Sequence, residues 1–251
     1  RQESCVTNAA YRPVLGVIVP PADGAVPPEL PALYADRIRV VGRGLAIPGI
    51  SMAGFDTVID RVAQLSRELA ADGAAAIALM GTSLSFYRGG DWNEQITHTM
   101  RAAGRLPATT MSDAIVAALH AVHGKRLAVA TAYTDEMNCR LHEFLEARGF
   151  EVASLVALGL SAVEQVHAVR PHELEALGER AVREAKNADA VLISCGGLRT
   201  LDVTMPLESR TGLPVVSSAG AGAWAAVRVL GDSGCAQGYG RLLAQSPERD
   251  P

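Results

Sequence analysis

The apolar residues of this chain follow two patterns that alternate along its length. Short continuous runs of four to six residues have the length of buried strands and occupy 14–19, 75–80, 127–130 and 190–194, with weaker runs at 38–41 and 152–156. Between the runs, apolar residues recur at helical spacing and predict helices over 55–71 and after Ser112, Thr134 and Pro171. This alternation predicts an α/β fold with parallel sheets.

The predicted helix beginnings carry local signals of their own. Ser112 is predicted to be an N-cap, because a serine hydroxyl can accept a backbone N–H of the first turn. Asp135 and Glu136 place negative charge in the first turn of the helix after Thr134. Pro171 suits the first position of its helix, where no N–H is needed.

The order of elements repeats once within the chain. Residues 75–80 run into Gly81-Thr82-Ser83, and residues 190–194 run into Cys195-Gly196-Gly197. A Leu-Pro strand follows each of these ends, at 106–110 and 213–217, and leads into an Ala-rich helix. We therefore predict two similar lobes with parallel sheets, related by pseudo-two-fold symmetry around a shared cleft. The first lobe is expected to span 14–111 and 214–251, the second 112–213, and residues 1–13 a flexible tail.

The two strand ends differ in one respect that bears on chemistry. Small residues at the carboxyl end of a parallel strand leave backbone N–H groups free to approach a bound anion. Cys195 stands at one end and Gly81 at the other. This asymmetry indicates a reaction that needs one acid or base rather than two.

Composition and charge narrow the class of protein. The chain has 251 residues, of which 49% are apolar and 20% charged, so it is expected to be globular. A net charge of −4 without a Lys/Arg cluster argues against a nucleic-acid partner. The apolar runs are too short to span a membrane and the first residues lack a signal-peptide core. A cytoplasmic monomer or small homo-oligomer is expected.

Nothing in the sequence predicts a metal or a cofactor. The four cysteines (5, 139, 195 and 235) lack CxxC spacing, and the pair His120 and His123 lacks a third ligand. The glycine-rich segments 42–44 and 220–222 do not have the GxGxxG register of a dinucleotide site. Lys125 and Lys186, the only lysines, are remote from every motif, which argues against a pyridoxal Schiff base.

Five segments of the chain form a recognisable set of motifs. They are Val19-Pro20-Pro21, residues 80–89 (MGTSLSFYRG), Ala130-Thr131-Ala132-Tyr133, Ser194-Cys195-Gly196-Gly197 and residues 238–242 (GYGRL). Together they resemble the arylmalonate decarboxylase family of the cofactor-independent aspartate/glutamate racemase superfamily, which also includes maleate isomerase. The resemblance extends from about Leu15 to Leu243, and the segment 80–89 is its most specific part.

The resemblance implies a cofactor-independent carboxy-lyase that acts on a small dicarboxylate. Racemases and isomerases of the superfamily place a cysteine at both strand ends, whereas here Gly81 occupies the first position. Inverting a stereocentre needs an acid and a base on opposite faces, and one cysteine serves only one face. The implied reaction is decarboxylation of an aryl- or alkenylmalonate to one enantiomer, with Cys195 protonating an enediolate. A racemase or cis–trans isomerase, and a non-catalytic carboxylate-binding module, remain the alternatives.

By the same resemblance, two groups of residues surround the substrate. An oxyanion site is formed by Thr82, Ser83, Tyr133, Gly196 and Gly197. An apolar pocket around the leaving carboxylate is formed by Pro20, Ile47, Ile50, Leu84, Ala132, Val163 and Val166. Val166 is shorter than the methionine expected from relatives, which alters the size of the pocket. Thr82 and Ser83 have an alternative role as caps of the following helix.

Overall fold

The strands form two parallel sheets of identical order. The computed structural model describes residues 11–47 and 58–244. The first sheet has the order β2-β1-β3-β4 and consists of β1 (Val14–Val19), β2 (Arg39–Gly44), β3 (Ala76–Leu79) and β4 (Ala108–Thr110). The second has the order β6-β5-β7-β8 and consists of β5 (Arg126–Thr131), β6 (Glu151–Ala157), β7 (Ala190–Ser194) and β8 (Val215–Ser217). The predicted two-lobed α/β architecture is confirmed.

Helices connect the parallel strands and cover the sheets. They are α1 (Glu29–Tyr34), α2 (Val58–Ala71), α3 (Thr82–Phe86), α4 (Gly90–Gly104), α5 (Met111–Ala121), α6 (Asp135–Ala147), α7 (Val163–His167), α8 (Pro171–Ala185), α9 (Leu201–Thr211), α10 (Ser218–Arg228) and α11 (Arg241–Ala244). Helical spacing predicted α2, α5, α6 and α8, whose apolar faces are buried. Most of the predicted N-terminal tail lies outside the described residues.

The strand registers show which positions correspond between the lobes. Leu79 lies opposite Ile18 and Thr110 in the first sheet, as Ile193 lies opposite Ala130 and Ser217 in the second. Counting on by two residues from Leu79 and Ile193, Gly81 corresponds to Cys195. The two ends predicted from the sequence motifs therefore occupy equivalent places in the fold.

The N-cap predicted for α5 was wrong by two residues. Thr110, at the end of β4, accepts the backbone N–H of Asp113 at 3.1 Å and has the extended conformation of a cap. Ser112 lies inside the helix, where its Oγ is 2.6 Å from the Oγ of Ser85. Ser217 caps α10 in the same way, accepting from the N–H of Gly220 at 3.1 Å.

The helices that follow the last strand of each sheet join the two lobes. These helices, α5 and α10, pack against each other, and α10 also contacts β3 and β4 of the first sheet. The sequence placed the end of the second lobe at residue 213, but β8 pairs with β7, so the second sheet extends to Ser217. The boundary is shifted because the Leu-Pro strand completes its own lobe before the chain crosses to the other.

Candidate active site

Cys195 immediately follows β7. It is partly buried and packs against two buried clusters, a large one with residues from both lobes and a smaller one within the second lobe. Burial raises the pKa of its thiol, while the backbone N–H groups of Gly197 and Leu198 act in the opposite direction. The thiol is therefore protonated at neutral pH. The two backbone N–H groups can stabilise a thiolate after the proton has been transferred.

Gly81, the equivalent residue of the first lobe, lies in a closely packed place. Its φ of −145° and ψ of 97° are open to any residue, so conformation does not require a glycine. A Cβ at this position would lie 3.0 Å from Cγ of Pro20 and 3.4 Å from Cβ of Leu84. The structure thus brings three of the predicted site residues together, and it leaves little room for a side chain on the first.

Thr82 and Ser83 open α3, and Thr82 reaches across to the second lobe. The N-cap of α3 is Gly81, without a side-chain cap bond, so neither hydroxyl caps the helix. Thr82 is buried, donates to Sδ of Met111 at 2.8 Å, and has its Oγ1 3.3 Å from the Cβ position of Gly196. The first and second strand-end motifs therefore meet at this hydroxyl.

Tyr133 follows β5 and is fixed by both its backbone and its ring. The carbonyl of Tyr133 accepts from the Asn138 amide at 3.2 Å, and its ring meets that of Phe86 edge-on at 5.8 Å. Burial raises the pKa of the phenol well above 10, with the Cys195 thiolate adding to the rise, while the hydroxyls of Ser194 and Thr82 oppose it. The phenol is a neutral hydrogen-bond donor next to the cysteine.

The residues predicted for the apolar pocket differ in their burial and contacts. Ile47 joins Pro20 through a backbone hydrogen bond of 3.3 Å, and Ala132 is buried beside Leu160, which donates to its carbonyl at 2.8 Å. Val166 has Cγ1 3.1 Å from the Cβ position of Gly197. Val163, at the start of α7, is 58% exposed, and Ile50 lies outside the described residues.

Sequence reasoning missed three neighbours of these residues. The Sδ of Met111 is 2.9 Å from the Cβ position of Gly196, and Nε2 of His167 is 3.5 Å from that of Gly197. The Oγ of Ser218 accepts the backbone N–H of Cys195 at 3.2 Å. Met111 and Ser218 are the first residues of α5 and α10, so the repeated Leu-Pro strands were the signal that could have located them.

Two further searches concern the described parts of the chain only. Residues 11–47 and 58–244 contain no group of three His, Cys, Asp or Glu side chains placed to hold a metal ion. In the same residues, no helix combines the length and the apolar character that crossing a bilayer requires. His120, half of the HxxH pair, faces the ring of Phe150 at 5.0 Å.

Comparison with known proteins identifies the family. The family model described as arylmalonate decarboxylase matches residues 15–243. The arylmalonate decarboxylase of Bordetella bronchiseptica is 44% identical over 238 residues, which is 94% of this chain and 99% of that protein. A structure of unliganded arylmalonate decarboxylase, 44% identical, superposes with a TM-score of 0.87 over 93% of this chain and all of that one. A maleate isomerase of Pseudomonas putida is 25% identical over 92% of this chain and 96% of that protein. The chain belongs to the arylmalonate decarboxylase family.

Proposed function

We propose that this protein is a carboxy-lyase that decarboxylates aryl- or alkenylmalonates without a cofactor and forms one enantiomer of the monocarboxylic acid. The observation that carries the proposal is the unequal pair of strand ends: a protonated thiol at Cys195 and no side chain at the equivalent Gly81. One proton donor on one face suits a reaction that delivers a single proton.

The first step breaks the bond between the α-carbon and one carboxylate. The electron pair of that bond moves onto the retained carboxylate, which becomes an enediolate, and CO₂ leaves. The hydroxyls of Thr82 and Ser83, the phenol of Tyr133 and the backbone N–H groups of Gly196 and Gly197 hold the enediolate oxygens. Neutral donors arranged in advance stabilise the charge that develops, and each is worth ~10²–10³ in rate.

The leaving carboxylate lies among apolar side chains in this proposal. Pro20, Leu84 and Ala132 come from both lobes, and Ile47 and Val166 extend the set. A carboxylate surrounded by aliphatic groups loses its hydration, whereas neutral CO₂ does not need any. The pocket therefore favours loss of the carboxylate that it encloses.

The second step transfers a proton from Sγ of Cys195 to the α-carbon. The electron pair of the enediolate forms the new C–H bond, and the sulfur becomes a thiolate that accepts the backbone N–H groups of Gly197 and Leu198. Solvent then returns the proton to sulfur. Because the proton arrives from one face only, one enantiomer is formed.

The test is CO₂ release from phenylmalonate and its α-methyl analogue, before and after dialysis against EDTA. We expect equal release in both samples and one enantiomer of 2-phenylpropionate by chiral chromatography. Racemisation of 2-phenylpropionate, or isomerisation of maleate, without CO₂ release would favour the isomerase alternative. Binding of malonates without turnover would favour a carboxylate-binding module.

A further inference from the structure

The second lobe carries polar residues at positions where the first lobe is apolar. Ser194 is equivalent in position to Met80, and Ser218 to Met111, because these residues directly follow equivalent strand positions in the two sheets. All four side chains are buried. In the first lobe, the two methionines fill the core, where Sδ of Met80 and Cε of Met111 would each lie 3.0 Å from a Cβ on Gly222. The fold therefore accepts large apolar side chains at these places, and the serines need a reason other than topology.

The two serines form a chain of hydroxyl groups from the cysteine to the tyrosine. The backbone N–H of Cys195 donates to Oγ of Ser218 at 3.2 Å. Ser218 in turn donates to Oγ of Ser194 at 3.5 Å, and Ser194 donates to the phenol oxygen of Tyr133 at 3.4 Å. Both oxygen–oxygen distances are longer than the ~2.8 Å typical of a hydroxyl pair.

The direction of this chain determines where the phenol proton points. The backbone N–H of Cys195 can only donate, so Ser218 accepts there, and Ser218 donates its own proton to Ser194. Ser194 then directs its proton to the oxygen of Tyr133, so the phenol proton must point to another acceptor. Thr82, the other hydroxyl beside the phenol, belongs to the proposed oxyanion site.

We propose that Ser194 and Ser218 are positioning residues, which align the O–H of Tyr133 with the substrate oxyanion through a directed chain of hydroxyl groups. This inference rests on the proposed function. The role is indirect, since both serines are fully buried and act through Tyr133 and the backbone of Cys195. Ser218 also accepts the backbone N–H of Cys195. One chain of hydrogen bonds therefore positions both the proton donor, Cys195, and the oxyanion donor, Tyr133.

The test is a double-mutant cycle on the decarboxylation of phenylmalonate, with kcat and KM measured separately. In the parent, Ser194→Ala is expected to lower kcat about tenfold, the effect of one hydrogen bond, with KM little changed. In the Tyr133→Phe background, which lacks the phenol hydroxyl, the same change is expected to alter kcat by less than about twofold. Ser218→Ala is expected to show the same dependence on background with a smaller effect, and Ser194→Thr, which keeps the hydroxyl, retains activity.

Ser66→Ala is the matched control, since Ser66 is a buried serine of α2 that donates to the carbonyl of Val62 at 2.7 Å. It is expected to leave kcat unchanged in both backgrounds. An equal loss from Ser194→Ala in both backgrounds would overturn the proposal, because a purely structural serine acts regardless of Tyr133. If Ser194→Ala does not fold, Ser218→Ala decides by the same comparison. Absence of CO₂ release from the wild-type protein would overturn both this inference and the proposed function.

Discussion

Gly81 in the first lobe and Cys195 in the second occupy equivalent positions after a strand and differ in their side chains. Each follows the third strand of its sheet in spatial order, and each lies beside the end of the central strand. Around Gly81, a Cβ would meet the ring of Pro20 at 3.0 Å. Next to Cys195, the residue equivalent to Pro20 is Ala132, which has no ring.

The two lobes have different roles in the proposed mechanism. Apolar packing dominates the edge of the first lobe, where Met80 and Met111 are buried. The second lobe contributes the thiol, the phenol and the serines that hold them. Among the residues proposed for the site, Thr82 and Ser83 supply the polar side chains of the first lobe. In the proposed mechanism, the two lobes keep the same sheet order while the second supplies the acid and the first shapes the pocket.

The largest expected effect comes from removing the thiol of the second lobe. Cys195→Ser is expected to lower kcat by ~10²–10⁴-fold, since a hydroxyl is a far weaker acid, while KM changes little because the surrounding donors remain. Steady-state kinetics on phenylmalonate checks this. Retention of more than about a tenth of kcat, a barrier change below ~1.4 kcal/mol, would exclude Cys195 as the proton donor.

A large effect on stereochemistry is expected from exchanging the two edges. The double variant Gly81→Cys with Cys195→Gly places the thiol on the opposite face of the enediolate, so the product should have the opposite configuration. Its rate should be lower, because the new Cβ is crowded by Pro20. Adding Pro20→Ala copies the second lobe at this point and should restore part of the rate. Chiral chromatography that shows the parent's enantiomer from the double variant would contradict the two-faced model.

The sequence predicted the fold more completely than the site. Periodic apolar runs and two similar strand ends were sufficient for the two-lobed α/β architecture, because both signals are local. Ser112 and Thr110 are both good capping residues by type, so the sequence alone did not show which of them caps α5. The end of β4 at Thr110 decides between them. Ser218 is 23 residues from Cys195, so their hydrogen bond depends on the packing of β8 beside β7.

The pH dependence of kcat tests the acid of the second lobe directly. Burial raises the pKa of Cys195 above the ordinary thiol value of 9.0, so the acid form persists through neutral pH. We expect kcat to be independent of pH below the raised pKa of Cys195. Above that pKa, kcat should fall tenfold per pH unit, because the proton donor is lost. The profile of the residual activity in Cys195→Ser should lack this limb. A limb centred below pH 8 in the wild-type protein would contradict a buried, protonated thiol.

The smallest expected effect is on stability and concerns Glu29. This residue of the first lobe contacts the backbone of Thr200, five residues after Cys195 in the second lobe. Glu29 is only 2% exposed, and the backbone N–H of Thr200 faces its carboxyl group. Burial raises the pKa of this carboxyl above its ordinary 4.5, so the folded protein binds the proton more tightly than the unfolded chain does. The contribution of Glu29 to the free energy of unfolding is therefore fully present below pH 4.5 and is lost as the pH rises through the folded-state pKa. Glu29→Gln keeps the acceptor and removes the titration, so its Tm should gain on the wild-type Tm between pH 4 and pH 8. A gain below ~2 °C, the shift that ~1 kcal/mol produces in a chain of this size, would contradict a costly buried charge at this contact between the lobes.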